Sequence, residues 1–129
     1  VIQDGNVLYG NVKNAKTYLE PIVATGPAIN VNLSSNGLYW QATMQGAFYD
    51  GEPGVTEAGF VYGFYDNPTV NNYNCTKVKY DSINKESNGA YKFTKTLTNL
   101  NGYKTYYFRA YVSNSVGVTY GETYSFDTY

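Results

Sequence analysis

Apolar and polar residues alternate along most of the chain, and no stretch sustains the three-and-four spacing of an amphipathic helix. The clearest run is 38–49. Leu38, Trp40, Ala42, Met44, Gly46 and Phe48 share one side of it, and Tyr39, Gln41, Thr43, Gln45 and Tyr49 share the other. Successive side chains of a strand point to opposite faces, so this spacing predicts a half-buried antiparallel strand. The turn signal Asp50-Gly51-Glu52-Pro53-Gly54 closes it. A second strand is expected with Ala58, Phe60, Tyr62 and Phe64 inward and Glu57, Gly59, Val61 and Gly63 outward, up to the breaker Asp66-Asn67-Pro68.

The pattern weakens over 71–88, where Lys77, Lys79 and Tyr80 predict a short edge strand whose lysines discourage edge-to-edge pairing. Alternation resumes at Ala90–Leu97 around Tyr91, Phe93 and Leu97. It returns where Tyr106, Phe108, Ala110 and Val112 interleave with Tyr107, Arg109, Tyr111 and Ser113. A last strand after the 114–117 turn places Val118, Tyr120, Tyr124 and Phe126 inward. Glu122 falls on their parity, and a bulge or kink at Gly121 is expected to turn it out, because an unpaired buried carboxylate is costly. Near the start, Pro21–Thr25 and Ala28–Leu33 read as an opening strand broken at Gly26-Pro27. About seven short strands separated by regular turns predict an all-β fold, an antiparallel seven-stranded β-sandwich. Its core should contain Trp40, Phe60, Leu100, Tyr106, Phe108, Tyr120 and Phe126. Residues 18–129 form the domain, and polar residues 1–17 are either a linker or an extra N-terminal hairpin.

The 129 residues suit one domain. Nine basic against ten acidic residues leave no cationic surplus to neutralise phosphates, which argues against nucleic acid as a partner. No apolar run approaches the ~20 residues of a membrane-spanning helix. Membrane attachment is expected only through an anchor outside this stretch, and any export signal upstream of Val1. The 16 Tyr, 6 Phe and single Trp supply enough apolar area for a core without disulfide or metal, and the lone Cys75 has no internal partner. Histidine is absent, which removes the commonest general base and metal ligand together.

The segment Leu100-Asn101-Gly102-Tyr103-Lys104-Thr105-Tyr106-Tyr107-Phe108-Arg109-Ala110-Tyr111-Val112-Ser113-Asn114-Ser115-Val116-Gly117 resembles the closing part of a fibronectin type III domain. A leucine there precedes a turn and a tyrosine follows six residues later, as Leu100 and Tyr106 do. That resemblance implies a tyrosine corner. Trp40 matches the core tryptophan of that family. Pro21–Thr25, Glu57–Phe60, Tyr106–Tyr111, Tyr120–Glu122 and Ser125–Thr128 are similar to the motifs of a bacterial subgroup of these repeats. The proline usual after the leucine is replaced by Asn101-Gly102, another good turn former. The resemblance covers about 19–128. It implies an extracellular or cell-surface bacterial protein in which such modules act as spacers or adhesive, protein-interacting domains beside other domains of the same chain.

Candidate chemistry is sparse. Triads built on histidine are ruled out, and Cys75 sits in a polar loop near Lys77. Asp50, Glu52 and Glu57 are close in sequence but fall at a turn, where they read as solvated turn formers. Asp50-Gly51-Glu52 and Asp66-Asn67 lack a calcium-loop signature. No catalytic residue, cofactor or metal is expected. Asn32-Leu33-Ser34, Asn74-Cys75-Thr76 and Asp81-Ser82-Ile83 match short glycosylation patterns that occur often by chance. The strongest candidate is a face made by Tyr107, Arg109 and Tyr111, with Val61, Thr119 and Thr123 beside them and Gly59, Gly63 and Gly121 leaving room. Such a face suits a protein partner or sugar rings, and equally it stabilises a sheet without binding anything. Two functions follow: a protein-interaction or spacer module, or a carbohydrate-binding module using the tyrosine-rich face.

Overall fold

The computed structural model describes residues 18–129; the N-terminal stretch 1–17, expected as linker or hairpin, lies outside the described residues. The described chain is all-β and forms two antiparallel sheets. The strands are β1 (Ile22–Leu33), β2 (Trp40–Tyr49), β3 (Glu57–Gly63), β4 (Thr76–Lys79), β5 (Ser82–Lys85), β6 (Tyr91–Leu100), β7 (Thr105–Ser113), β8 (Val118–Tyr120) and β9 (Tyr124–Asp127). One sheet has the order β1-β2-β6-β5. The other has the order β4-β3-β7-β8, with β9 also on β7.

Among the described residues nine strands stand where seven were expected, because a second short strand follows the expected edge strand and the last strand is split. The chain over 76–85 breaks at Asp81, so that β4 pairs with β3 and β5 crosses to β6 in the opposite sheet. The last strand breaks over 121–123, and both halves stay on β7. Asp81 anchors its crossover by accepting from the Thr96 N–H at 3.0 Å and pairing with the Lys95 ammonium at 3.0 Å.

The alternation within β2 holds from Trp40 onward, with Ala42, Met44, Gly46 and Phe48 buried in turn. Leu38 departs from it and is 72% exposed. It belongs to a turn in which the Asn36 side-chain oxygen accepts from Ser34 Oγ and the Leu38 N–H, and Gly37 takes a φ of 73°. The opening strand runs on through Gly26-Pro27, but its pairing with β2 shifts register between Gly26 and Ile29, where the break was expected. Proline is tolerated there because β1 is a sheet edge, and the Pro27 carbonyl accepts from Gln45 Nε2 at 2.8 Å. β6 runs three residues past the expected Leu97. A register shift opposite Trp40 and Ala42, with Asn99 at φ 60°, lets both Leu97 and Leu100 face inward.

The core lies between the sheets. Phe60 and Phe108 are fully buried, Phe93 packs on Phe60 at 5.0 Å, and Phe126 stacks on Tyr106 at 5.3 Å. Leu100, Tyr106 and Phe126 are buried as expected, whereas Trp40 is half-buried at one end against Tyr129. The Tyr106 hydroxyl accepts from the Asn101 N–H at 2.9 Å, tying the end of β6 to the start of β7. Phe64, expected inward, lies beyond β3 and is 46% exposed, tilted against Tyr106 with ring centroids 5.0 Å apart.

Tyr120 is the main correction to the expected core. It pairs with Tyr111, so it lies on the outer side of the second sheet. The break at 121–123 shifts the side-chain phase, so that Tyr124 and Phe126 turn inward while Tyr120 does not. Glu122 is exposed, and its Oε1 accepts from the Thr25 N–H at 3.1 Å. Those bonds to its own and the Thr25 amide hold its carboxyl below the usual range. The same break leaves Ala110, paired with Phe60 of β3, without a strand neighbour on its other side. Thr25 Oγ1 accepts from the Ala110 N–H at 3.0 Å, and Gly121 donates to the Ala110 carbonyl at 2.9 Å. Edge strand β1 thus closes that side of the sandwich.

Candidate functional site

On the outer side of the second sheet, cross-strand register brings together Glu57, Gly59 and Val61 of β3, Tyr107, Arg109 and Tyr111 of β7, Tyr120 of β8, and Lys77 and Lys79 of β4. Directly opposed residues of an antiparallel pair share a face, so this grouping follows from backbone pairing alone. Thr119 opposes Val112 and therefore faces inward, not onto this surface as expected.

Part of this surface is covered. The segment between β3 and β4, residues 64–75, folds back over it as a strap. Pro68 is fully buried, and its carbonyl accepts from Arg109 Nε at 2.7 Å. The Val70 N–H donates to the Tyr120 hydroxyl at 3.0 Å, and Thr123 Oγ1 donates to Asn67 Oδ1 at 3.1 Å. Arg109 sits over the Tyr120 ring, with Cζ 3.8 Å from its centroid. A planar guanidinium can stack and donate at once, which a lysine ammonium cannot. Val61 is wholly buried in consequence.

Tyr111 is 2% exposed, so it is not a contact surface. Its hydroxyl donates to Glu57 Oε2, which also takes the Lys77 ammonium at 3.0 Å. Burial, and then the bond to the Glu57 carboxylate, push the Tyr111 hydroxyl well above its ordinary pKa. The Tyr111 bond and Lys77 hold Glu57 below the usual carboxylate range. Of the three expected contact residues, register places Tyr107, Arg109 and Tyr111 on one face. Tyr107 and Arg109 are half-buried, and Tyr111 is covered.

Arg109→Ala removes both the stack and the bond that pin the strap. Bonds to a charged donor contribute about 1.5–3 kcal/mol and a stacked cation about 0.5–2. Amide hydrogen exchange over 64–75 should speed up in this variant while β2 and β6 keep their protection. Arg109→Lys should not restore the wild-type rate. Unchanged exchange in 64–75 would mean that the strap is held by other contacts.

The loops contain the aromatic surface that strand alternation did not locate. Leu33 and Trp40 end the β1–β2 hairpin, Leu100 and Thr105 flank the β6–β7 turn, and Gly63 opposes Tyr107. These turns therefore share one pole of the sandwich with the C-terminal residues. Exposed there are Leu33, Leu38, Phe64, Tyr65, Tyr103 and Tyr129. Tyr103 is 88% exposed at a φ of 58°, and Lys104 Nζ sits 5.6 Å from the Phe64 centroid. A signal for them was present in the sequence: aromatic residues set beside the turn formers Asp66-Asn67-Pro68 and Asn101-Gly102 have no strand neighbour to cover them.

Of the carboxylates weighed for catalysis or calcium, Asp50 and Asp66 organise turns, whereas Glu57 lies in β3 rather than at a turn and bonds Tyr111 and Lys77. Asp50 Oδ1 accepts from the Gly51 and Val55 N–H groups, and Asp66 Oδ1 accepts from the Asn67 N–H. Cys75 is a free, partly exposed thiol beside Gly63. Neither a family model nor a curated protein matches the chain.

Proposed function

We propose that the chain is a fibronectin type III-like module of a bacterial secreted or cell-surface protein, a non-catalytic spacer and adhesion domain that engages a protein partner through its aromatic pole. The family part of this reading is supported by the sheet orders β1-β2-β6-β5 and β4-β3-β7-β8 and by the Tyr106–Asn101 corner, which follows the Leu100 and Tyr106 spacing. The observation that carries the interaction part is the division of the aromatics. Tyr111 and Tyr120 of the sheet face are spent on internal bonds and Tyr107 is half-buried, while Leu38, Tyr65, Tyr103 and Tyr129 stand exposed at one end. Exposed apolar clusters mark interaction sites, and tyrosine is a frequent anchor in protein interfaces.

Trp40, the sole tryptophan, packs against Tyr129 at this pole, so its fluorescence reports on docking there. The test has two arms. Polysaccharides titrated into the domain should leave Trp40 emission unchanged. Cross-linking from Lys104 within the intact parent protein, on its cell surface, should yield adducts to a protein neighbour. The triple variant Leu38→Ser, Tyr65→Ser, Tyr103→Ser should lose those adducts at unchanged thermal stability. A saturable polysaccharide response that is abolished by changing Tyr107 would replace this reading with the carbohydrate-binding one.

A further inference from the structure

The sequence contains three Asn-Gly pairs, Asn36-Gly37, Asn88-Gly89 and Asn101-Gly102, and all three asparagines are exposed. Asparagine followed by glycine is prone to deamidation, because the glycine has no side chain to crowd attack by its own amide nitrogen. Exposure does not distinguish the three pairs; hydrogen bonding does. The Gly37 N–H donates to the Ser34 carbonyl at 2.9 Å, and the Asn36 Oδ1 accepts from Ser34 Oγ and the Leu38 N–H. The Gly89 N–H donates to the Glu86 carbonyl at 3.0 Å, and Asn88 Oδ1 accepts from the Ala90 N–H. In both pairs the glycine N–H and the asparagine side chain are engaged in hydrogen bonds that would have to break first.

At Asn101-Gly102 the bonds fall elsewhere. The backbone N–H of Asn101 donates to Tyr106 and its carbonyl accepts from Thr128 Oγ1 at 2.6 Å, whereas neither the Gly102 N–H nor the Asn101 side-chain amide has a partner among the described residues. We infer that Asn101 is the spontaneous deamidation site of the folded protein and that its conversion unlocks the β6–β7 corner. The Gly102 nitrogen, its proton taken by hydroxide, attacks Asn101 Cγ. An N–Cγ bond forms, the Cγ–Nδ2 bond breaks, and the amide nitrogen leaves as ammonia with a proton from water. One water then opens the cyclic imide at either carbonyl, giving aspartate or isoaspartate. No oxidant or cofactor enters the balance.

The consequence follows from what residue 101 holds. Isoaspartate routes the main chain through Cβ and Cγ, so the α-carbonyl that takes the Thr128 hydroxyl is released from Gly102 as a free carboxylate and the turn gains a backbone atom. Thr128 is buried and also bonds the Lys104 N–H at 3.1 Å, so the C-terminal residues lose an anchor.

The test is incubation of the folded protein at mildly alkaline pH, with peptide mapping that separates asparagine, aspartate and isoaspartate at all three positions, beside the same incubation in denaturant. Asn101 should convert several-fold faster than Asn36 and Asn88 in the folded protein, and the three rates should converge in denaturant. Aged wild type should become protease-sensitive around 101–104 and 126–129, while aged Asn101→Gln, which keeps the backbone contacts, should not. Equal or faster conversion at Asn36 or Asn88 in the folded protein would overturn the inference, as would a folded protein in which Asn101 stays intact. An aged wild type no more cleavable than Asn101→Gln would overturn the unlocking step.

Discussion

Phe60→Ala should lower the stability of the domain by about 3–5 kcal/mol, the range for truncating a fully buried phenylalanine. The ring is wholly buried and meets Phe93 of the opposite sheet at 5.0 Å and Phe108 of its own sheet at 6.4 Å. It also fills the hollow above Gly46, where a Cβ would lie 3.2 Å from the ring edge and 2.9 Å from both Ala110 and Phe93. The contact joins the two layers, so neighbours from both sheets would have to move to close the cavity. Rigid strand pairing on either side resists that. Equilibrium unfolding in urea, followed by Trp40 emission, should show a lower midpoint at an unchanged slope. Phe60→Leu should lose much less. A loss below about 1 kcal/mol for the alanine variant would mean that the site collapses and that the sheets are not locked through this ring.

Gly121→Ala should cost about 1–3 kcal/mol, the usual penalty for forcing an extra methyl group into a filled site. A Cβ there would sit 2.5 Å from Thr25 Oγ1, 2.9 Å from the Thr25 nitrogen and 3.0 Å from the Ala24 carbonyl carbon. Two of those three are backbone atoms of β1, so rotating a side chain cannot relieve the overlap. The strand would have to withdraw, taking with it the Thr25 bonds to Ala110 and Glu122. Gly117→Ala is the matched control, because nothing lies within 4 Å of a Cβ at that position. Denaturant unfolding of both variants checks the pair. A Gly121→Ala protein as stable as Gly117→Ala would show that β1 does not close the sandwich at this point.

The amino-acid sequence alone determined the layers of this protein and most of its interior. The alternation at Trp40–Phe48, Ala58–Phe60 and Tyr106–Val112 is a local property: a strand buried on one side must carry its apolar residues on every second position, whatever it packs against. The kink at Gly121 was legible for a similar reason, since a carboxylate on the parity of the core signals a break in phase. Its direction was not legible. Only pairing to β7 decides that Tyr120 turns outward while Tyr124 and Phe126 turn inward.

The candidate site was legible as a grouping but not as a surface. Tyr107, Arg109 and Tyr111 share a side by periodicity. Whether that side meets water depends on residues 64–75, more than thirty positions earlier in the chain, whose Pro68 carbonyl and Val70 amide meet Arg109 and Tyr120 only once β3 and β7 are paired. The aromatic pole escaped strand periodicity for the opposite reason. Its rings lie in turns, and turns from distant parts of the chain become neighbours only when the sheets are stacked. Local patterning specifies which way a side chain points within its own strand, while long-range packing specifies what stands in front of it.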